Sequence, residues 1–187
     1  MRSIGAHTVV ALRDRAIIAV LSFTGVRAGA ASKLRLEDLY ETGGQWMLHF
    51  VEKRGKSREI PVRHDLHAIL FAYIDAAMMR DAPKKSPLFR TGVRRENRLT
   101  ERRMTANDVC RMIKRRMRRA GLPEKLSAHS FRVAVATDLF AQGVETGEIQ
   151  YLLGHSDPRT TRLYDRTPRK VTRNLVERIR IEIPNAD

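Results

Sequence analysis

His129 and Arg132 stand three residues apart in His129-Ser130-Phe131-Arg132, a spacing that projects both side chains from one face of a helix. Some twenty residues on, Leu153-Gly154-His155 places an imidazole just past a glycine that reads as a helix stop. Thr160-Thr161-Arg162-Leu163-Tyr164 then puts a phenol one short helix further along, behind Asp157-Pro158. Upstream, Thr24-Gly25-Val26-Arg27 offers a second guanidinium, and the run from Glu52 to Arg58 reads as a basic hairpin. Two imidazoles, two guanidinium groups and a phenol brought together could hold a phosphodiester and attack it.

Those groups need elements to position them. Val9 to Phe23 reads as a mostly buried helix that Gly25 ends, followed by a short helical piece over Ala28 to Leu34. Three strands are expected, at Arg35–Tyr40, Trp46–Val51 and Arg58–Val62, with Gly43-Gly44 as the first turn and Pro61 marking an edge. Leu66, Ile69, Leu70, Tyr73, Ile74, Ala77 and Met78 then make one apolar helical stripe. The polar stretch from Asp81 to about Thr100 is expected to be a long loop, mobile or ordered by a partner. Thr105 and Asp108 form a capping box for a helix with Val109, Met112, Ile113, Met117 and Ala120 inward. Its other side carries Arg111, Lys114, Arg115, Arg118 and Arg119, a face read equally well as solvated or as touching phosphates. Helices over about His129–Gln142 and Glu145–Leu153 follow, and Pro158 suits the first turn of another. The tail from Arg169 to Ile183 reads as an amphipathic helix. The fold class is therefore α+β, mainly helical, with a small three-stranded antiparallel sheet near the N-terminus.

Composition narrows the partner. Lys and Arg total 36 against 21 Asp and Glu, a net charge of +15, which favours a polyanion such as nucleic acid. One cysteine, Cys110, excludes an intrachain disulfide and a cysteine zinc cluster, and is expected to be a small core residue. His64 and His67 lack acidic or cysteine companions and read as surface residues at a helix start, so no metal site is expected. No apolar run reaches the roughly 18 residues of a membrane span, and the start lacks a signal-peptide core. A cytoplasmic protein without a membrane partner is the expectation.

The boxes in this order resemble the catalytic domain of the tyrosine recombinases of the phage-integrase family. The resemblance runs from about Val9 to Thr167. It implies a catalytic set of Arg27, Lys53, His129, Arg132, His155 and Tyr164, with Lys56 as the alternative to Lys53. Tyr164 would be the nucleophile, the two arginines the phosphate clamp, and Lys53 the donor to the leaving 5′ hydroxyl. His129 would move protons and His155 would hydrogen-bond the phosphate, with no metal, cofactor or ATP. The DNA contacts would come from Arg54, Lys56 and Arg58 on the hairpin, from Arg111, Lys114, Arg115 and Arg118, and from Arg159 and Arg162 beside the nucleophile. Two positions depart from the family pattern: Ala28-Gly29-Ala30 has no acid after Arg27, and Val133 stands where a basic residue is common. The reading is of a single catalytic domain over 1–187, without the N-terminal DNA-gripping domain that members usually carry. The tail over 168–187 would be a contact between protomers or, equally well, would dock on its own domain. Double-stranded DNA is the implied partner, bound by a monomer alone and by four protomers on paired sites. The rival readings are a catalytically silent DNA-binding remnant and a relaxing activity of the type IB topoisomerase kind.

Overall fold

Thr8, in extended backbone, accepts the Ala11 N–H at 3.1 Å through its hydroxyl and so caps α1 (Val9–Thr24). In the computed structural model, which describes residues 7–51, 57–93, 96–154 and 158–165, this helix is the central strut. Ala16, Ile17, Ala19, Val20 and Leu21 are fully buried in it. It ends at Gly25, whose φ of 61° is left-handed and whose N–H bonds to the Leu21 carbonyl. α2 (Ala28–Lys33) follows after two residues.

The first strand begins later than its sequence suggests. Asp38 accepts the Arg35 N–H through its carboxylate at 2.8 Å, and this closes a 3-10 turn over Leu36–Asp38. Only then does β1 (Leu39–Thr42) start, pairing antiparallel with β2 (Gln45–Val51), which pairs with β3 (Ser57–Pro61). Leu39 faces Leu48, and Leu48 faces Ile60, so one apolar row crosses the sheet. Pro61 lies on the edge strand, where its missing N–H costs no ladder bond.

α3 (His64–Ala76) lies along α1 with Leu66, Leu70, Tyr73 and Ile74 buried. Met78 is a correction to the expected stripe: the helix has already ended, its φ is 50°, and it is 90 % exposed. The stretch from Asp81 to Thr100 is not wholly a loop either. Leu88 and Phe89 are fully buried, and the Leu88 N–H donates to the Leu34 carbonyl. Anchored there, the chain forms a second small sheet from β4 (Arg90–Gly92) and β5 (Leu99–Arg103). The Tyr73 hydroxyl donates to the Leu88 carbonyl at 2.9 Å, and burial pushes the phenol up to about 12.

Thr105 and Asp108 close the expected capping box of α4 (Ala106–Arg119). The Thr105 N–H and hydroxyl, with the Arg111 guanidinium, hold the Asp108 carboxyl down at about 2. Val109, Met112 and Ile113 face the core, but Ala120 is exposed, and so is Cys110, against expectation. One residue along from Val109, Cys110 is turned about 100° off the buried stripe. Three arginines meet a buried carboxylate between α1 and α4. Asp14, 0 % exposed, accepts from Arg13 at 2.6 Å and from Arg116 at 2.8 Å, with Arg115 at 3.5 Å. Arg13 also donates to the Arg90 carbonyl, so the network ties in β4.

Ser127 caps α5 (Ala128–Ala141); α6 (Thr146–Leu153) and α7 (Pro158–Arg162) complete the order. The main core gathers α1 to α4 and the three-stranded sheet. A smaller core of Ala136, Phe140, Ile149 and Leu153 lies under α5 and α6. The arrangement is α+β and mainly helical, with two small antiparallel sheets among the described residues rather than one. The expected tail helix, 169–183, and the tail over 168–187 lie outside those residues.

Candidate active site

α5 carries His129 in its first turn and Arg132 one turn on, as the three-residue spacing requires. The imidazole is exposed, and its Nε2 lies 3.2 Å from the hydroxyl oxygen of Tyr164. Tyr164 is delivered by the turn that follows α7, where its N–H donates to the Thr161 carbonyl at 3.0 Å. The ring rests half-buried against the smaller core, its hydroxyl directed to the imidazole. A neutral imidazole at that distance can take the phenolic proton, and an imidazolium can return it.

Arg132, unlike His129, is buried. It is 1 % exposed, and its Nη1 donates to the Gly25 carbonyl at 2.8 Å while Nη2 donates to the Leu153 carbonyl at 2.6 Å. Three separated sequence motifs thus meet on one guanidinium: the end of α1, the start of α5 and the end of α6. Gly25 makes the approach possible. A Cβ there would stand 2.6 Å from Leu153 Cδ2 and 3.4 Å from Val135 Cγ1. Two residues past Gly25, Arg27 is exposed at the N-cap of α2, and its carbonyl accepts the Ala30 and Ala31 N–H groups.

Lys53, Arg54, Lys56 and His155 lie outside the described residues. Arg58 is a correction. Expected as a hairpin contact to DNA, it is instead 7 % exposed, with its guanidinium on the carbonyls of Leu152 and Tyr151. The register carried the missed signal, since Arg58 shares the inward face of β3 with Ile60. Arg111, Lys114, Arg115 and Arg118 are exposed on α4, yet each has a partner within the chain. Arg111 pairs with Asp108, Lys114 donates to the Glu124 carbonyl, Arg115 reaches Asp14, and Arg118 reaches Glu124. Arg159 and Arg162 are exposed on α7. The Asp14 network was not foreseen, because neighbouring arginine and aspartate on a helix ordinarily read as a solvated pair.

Residues 4–170 match the phage integrase family. Tyrosine recombinase XerA of Pyrococcus furiosus is 32 % identical over 168 residues, covering 89 % of this chain and 54 % of that protein. Tyrosine recombinase XerC of Nitrobacter winogradskyi is 32 % identical over 153 residues, 81 % of this chain and 45 % of its own length. The chain therefore spans about half the length of these curated relatives. Among solved structures, XerH recombinase bound to its difH substrate in a pre-cleavage complex is similar in fold. The TM-score is 0.70 at 22 % identity, over 85 % of this chain and 44 % of that one. The crystal structure of XerA recombinase gives 0.66 at 25 %, over 91 % and 60 %.

Proposed function

The chain belongs to the phage integrase family, and from that premise we propose that it cuts and rejoins DNA strands in site-specific recombination, with Tyr164 as nucleophile. The Tyr164 oxygen attacks phosphorus, the bond to the 5′ oxygen breaks, and a 3′-phosphotyrosine forms. The new ester keeps the bond energy, so religation by the 5′ hydroxyl needs no ATP. Arg27 and Arg132 neutralise and orient the non-bridging oxygens, which planar guanidinium forks suit better than point charges. His129 takes the phenolic proton and Lys53 protonates the leaving 5′ oxygen. His155 donates to the phosphate. Charge on the transferring group is met by these fixed donors, so no metal or cofactor enters the step.

The observation that carries the reading is the 3.2 Å approach of the Tyr164 hydroxyl to His129, one helical turn from Arg132. Double-stranded DNA is the partner, supported by the charge of +15 and by neighbours solved on DNA. A single chain binds one half-site as a monomer, and four protomers pair two sites. Cytoplasmic location fits this partner; among the described residues no helix is long and apolar enough to cross a membrane. One observation favours a second reading, a silent DNA binder: Arg132 is 1 % exposed, and both its Nη atoms are already engaged by the Gly25 and Leu153 carbonyls.

A nicked suicide duplex, built on sites selected from a randomised pool, separates the two readings. The unaltered chain is expected to give a covalent adduct in denaturing gels. Tyr164→Phe keeps the ring and its packing, and is expected to bind nearly as well and to give none. An adduct from the Phe variant overturns the assignment of the nucleophile, and binding without any adduct favours the silent reading. Relaxation of supercoiled plasmid without a defined site would point to topoisomerase-like activity.

A further inference from the structure

β3 alternates exposed and buried positions, and the residue that shares the inward face with Ile60 is Arg58. In the ladder it stands opposite Phe50, which is fully buried, and only 7 % of Arg58 itself is exposed. A cation in such a place costs free energy unless its N–H groups find acceptors. Its Nη1 finds two of them at the C-terminal end of α6. Arg58 Nη1 donates to the carbonyl of Leu152 and, at 3.3 Å, to that of Tyr151. The next carbonyl, Leu153, receives Arg132 Nη2 at 2.6 Å. The last carbonyls of a helix have no donor within it and carry the negative end of its dipole. Here two buried guanidinium groups, one from the sheet and one from α5, occupy successive ones.

The consequence falls on Arg132. The direction of its Nη2 is set by the Leu153 carbonyl, which is only as fixed as the end of α6. α6 has eight residues, too few to be stable without tertiary support. Ile149 and Leu153 hold it from the smaller core, and Arg58 holds its end from the sheet. We infer that Arg58 is a positioning residue for Arg132. By anchoring the Tyr151 and Leu152 carbonyls it fixes the Leu153 carbonyl, and through it the guanidinium, in the orientation a phosphate clamp needs. The inference rests on the reading of Arg132 as part of that clamp.

The test uses the full 187-residue chain with Arg58→Gln and Arg58→Lys, in single-turnover adduct formation at saturating suicide duplex. Each protein meets two versions of the scissile linkage. One is the ordinary phosphodiester. The other is a methylphosphonate, in which a methyl group replaces one non-bridging oxygen and removes the negative charge. A misplaced clamp is felt only where there is charge to neutralise, whereas a damaged fold slows both substrates alike. Arg58→Gln is expected to lower the phosphodiester rate by about a hundredfold, the scale for displacing a catalytic group by 1 Å. Its binding and its methylphosphonate rate should stay close to those of the unaltered chain. Lys keeps one cationic donor for the α6 carbonyls and should restore part of the loss. Equal losses on both substrates, or none on the phosphodiester, overturn the inference. If the Gln variant does not fold, the same ratio of rates in the Lys variant decides. No adduct from the unaltered chain would overturn the reading of the site itself, and the inference with it; an adduct that Arg58 substitutions leave unchanged overturns the inference alone.

Discussion

Arg27 and Arg132 carry the same group into opposite surroundings, one exposed at a helix cap and the other buried on two carbonyls. Arg27→Lys retains the charge and loses the fork. The expected cost is about 2–4 kcal/mol in the cleavage barrier, the scale for one preorganised donor. Single-turnover adduct formation measures it, and a near-normal rate would show that Arg27 is not on the scissile phosphate. At this scale the sequence was legible where chemistry is carried by spacing. His129 and Arg132 share a helix as their separation implies, and Tyr164 arrives beside His129. It was illegible where depth decides. Arg58 follows a basic turn and so reads as one more exposed cation, although alternation with Ile60 turns it inward. Cys110 reads as a small core residue until the stripe of Val109, Met112 and Ile113 fixes which side of α4 faces in.

Elements were legible in proportion to how locally they are determined. The Thr105–Asp108 box, Gly25 and Gly154 start or stop their helices through contacts within a few residues, and each stands where its residue type suggests. The start of β1 depends on Asp38 reaching back to Arg35, a competitor that alternation of apolar residues does not reveal. β4 and β5 depend on Leu88 and Phe89 being buried, Leu88 bonded to the Leu34 carbonyl and Phe89 stacked on Tyr73, contacts that lie outside the strands themselves. The Asp14 network is likewise tertiary, and it predicts a stability effect. Asp14→Asn leaves the buried Arg13 and the half-buried Arg116 beside a neutral amide. Removing one partner of a buried ion pair costs about 3–5 kcal/mol, which denaturant unfolding would register. Arg115→Ala, with its side chain 51 % exposed and 3.5 Å from Asp14, should cost about 0–1 kcal/mol. Equal effects of the two substitutions would mean that burial does not govern this network.

For the molecule as a whole, the charge of +15 sets how it meets DNA. Each phosphate it neutralises releases counterions, so the logarithm of affinity should fall with the logarithm of salt by roughly 0.9 per contact. The internal partners of Arg111, Lys114, Arg115 and Arg118 compete with phosphate for those cations. The measured slope should therefore correspond to fewer contacts than a count of exposed arginines and lysines suggests. Filter binding of a short duplex across a salt series would give it. A flat salt response would rule out phosphate contacts as the main source of affinity.

Gly25 closes the gap between the two cores, with Thr24 and Val26 buried on one side and Val135 and Leu153 against it on the other. A side chain at that place meets two obstacles, a φ of 61° and a contact of 2.6 Å with the end of the buried Leu153 side chain. Gly43 and Gly44 share the left-handed backbone but have nothing within 4 Å of an added Cβ. In a saturation library selected for recombination and read by deep sequencing, codon 25 should return glycine alone, while codons 43 and 44 also return asparagine and aspartate. Enrichment of alanine at codon 25 would mean that the two cores can be spread apart without loss. Otherwise the tolerance map of the gene will show its narrowest point at a residue that has no side chain.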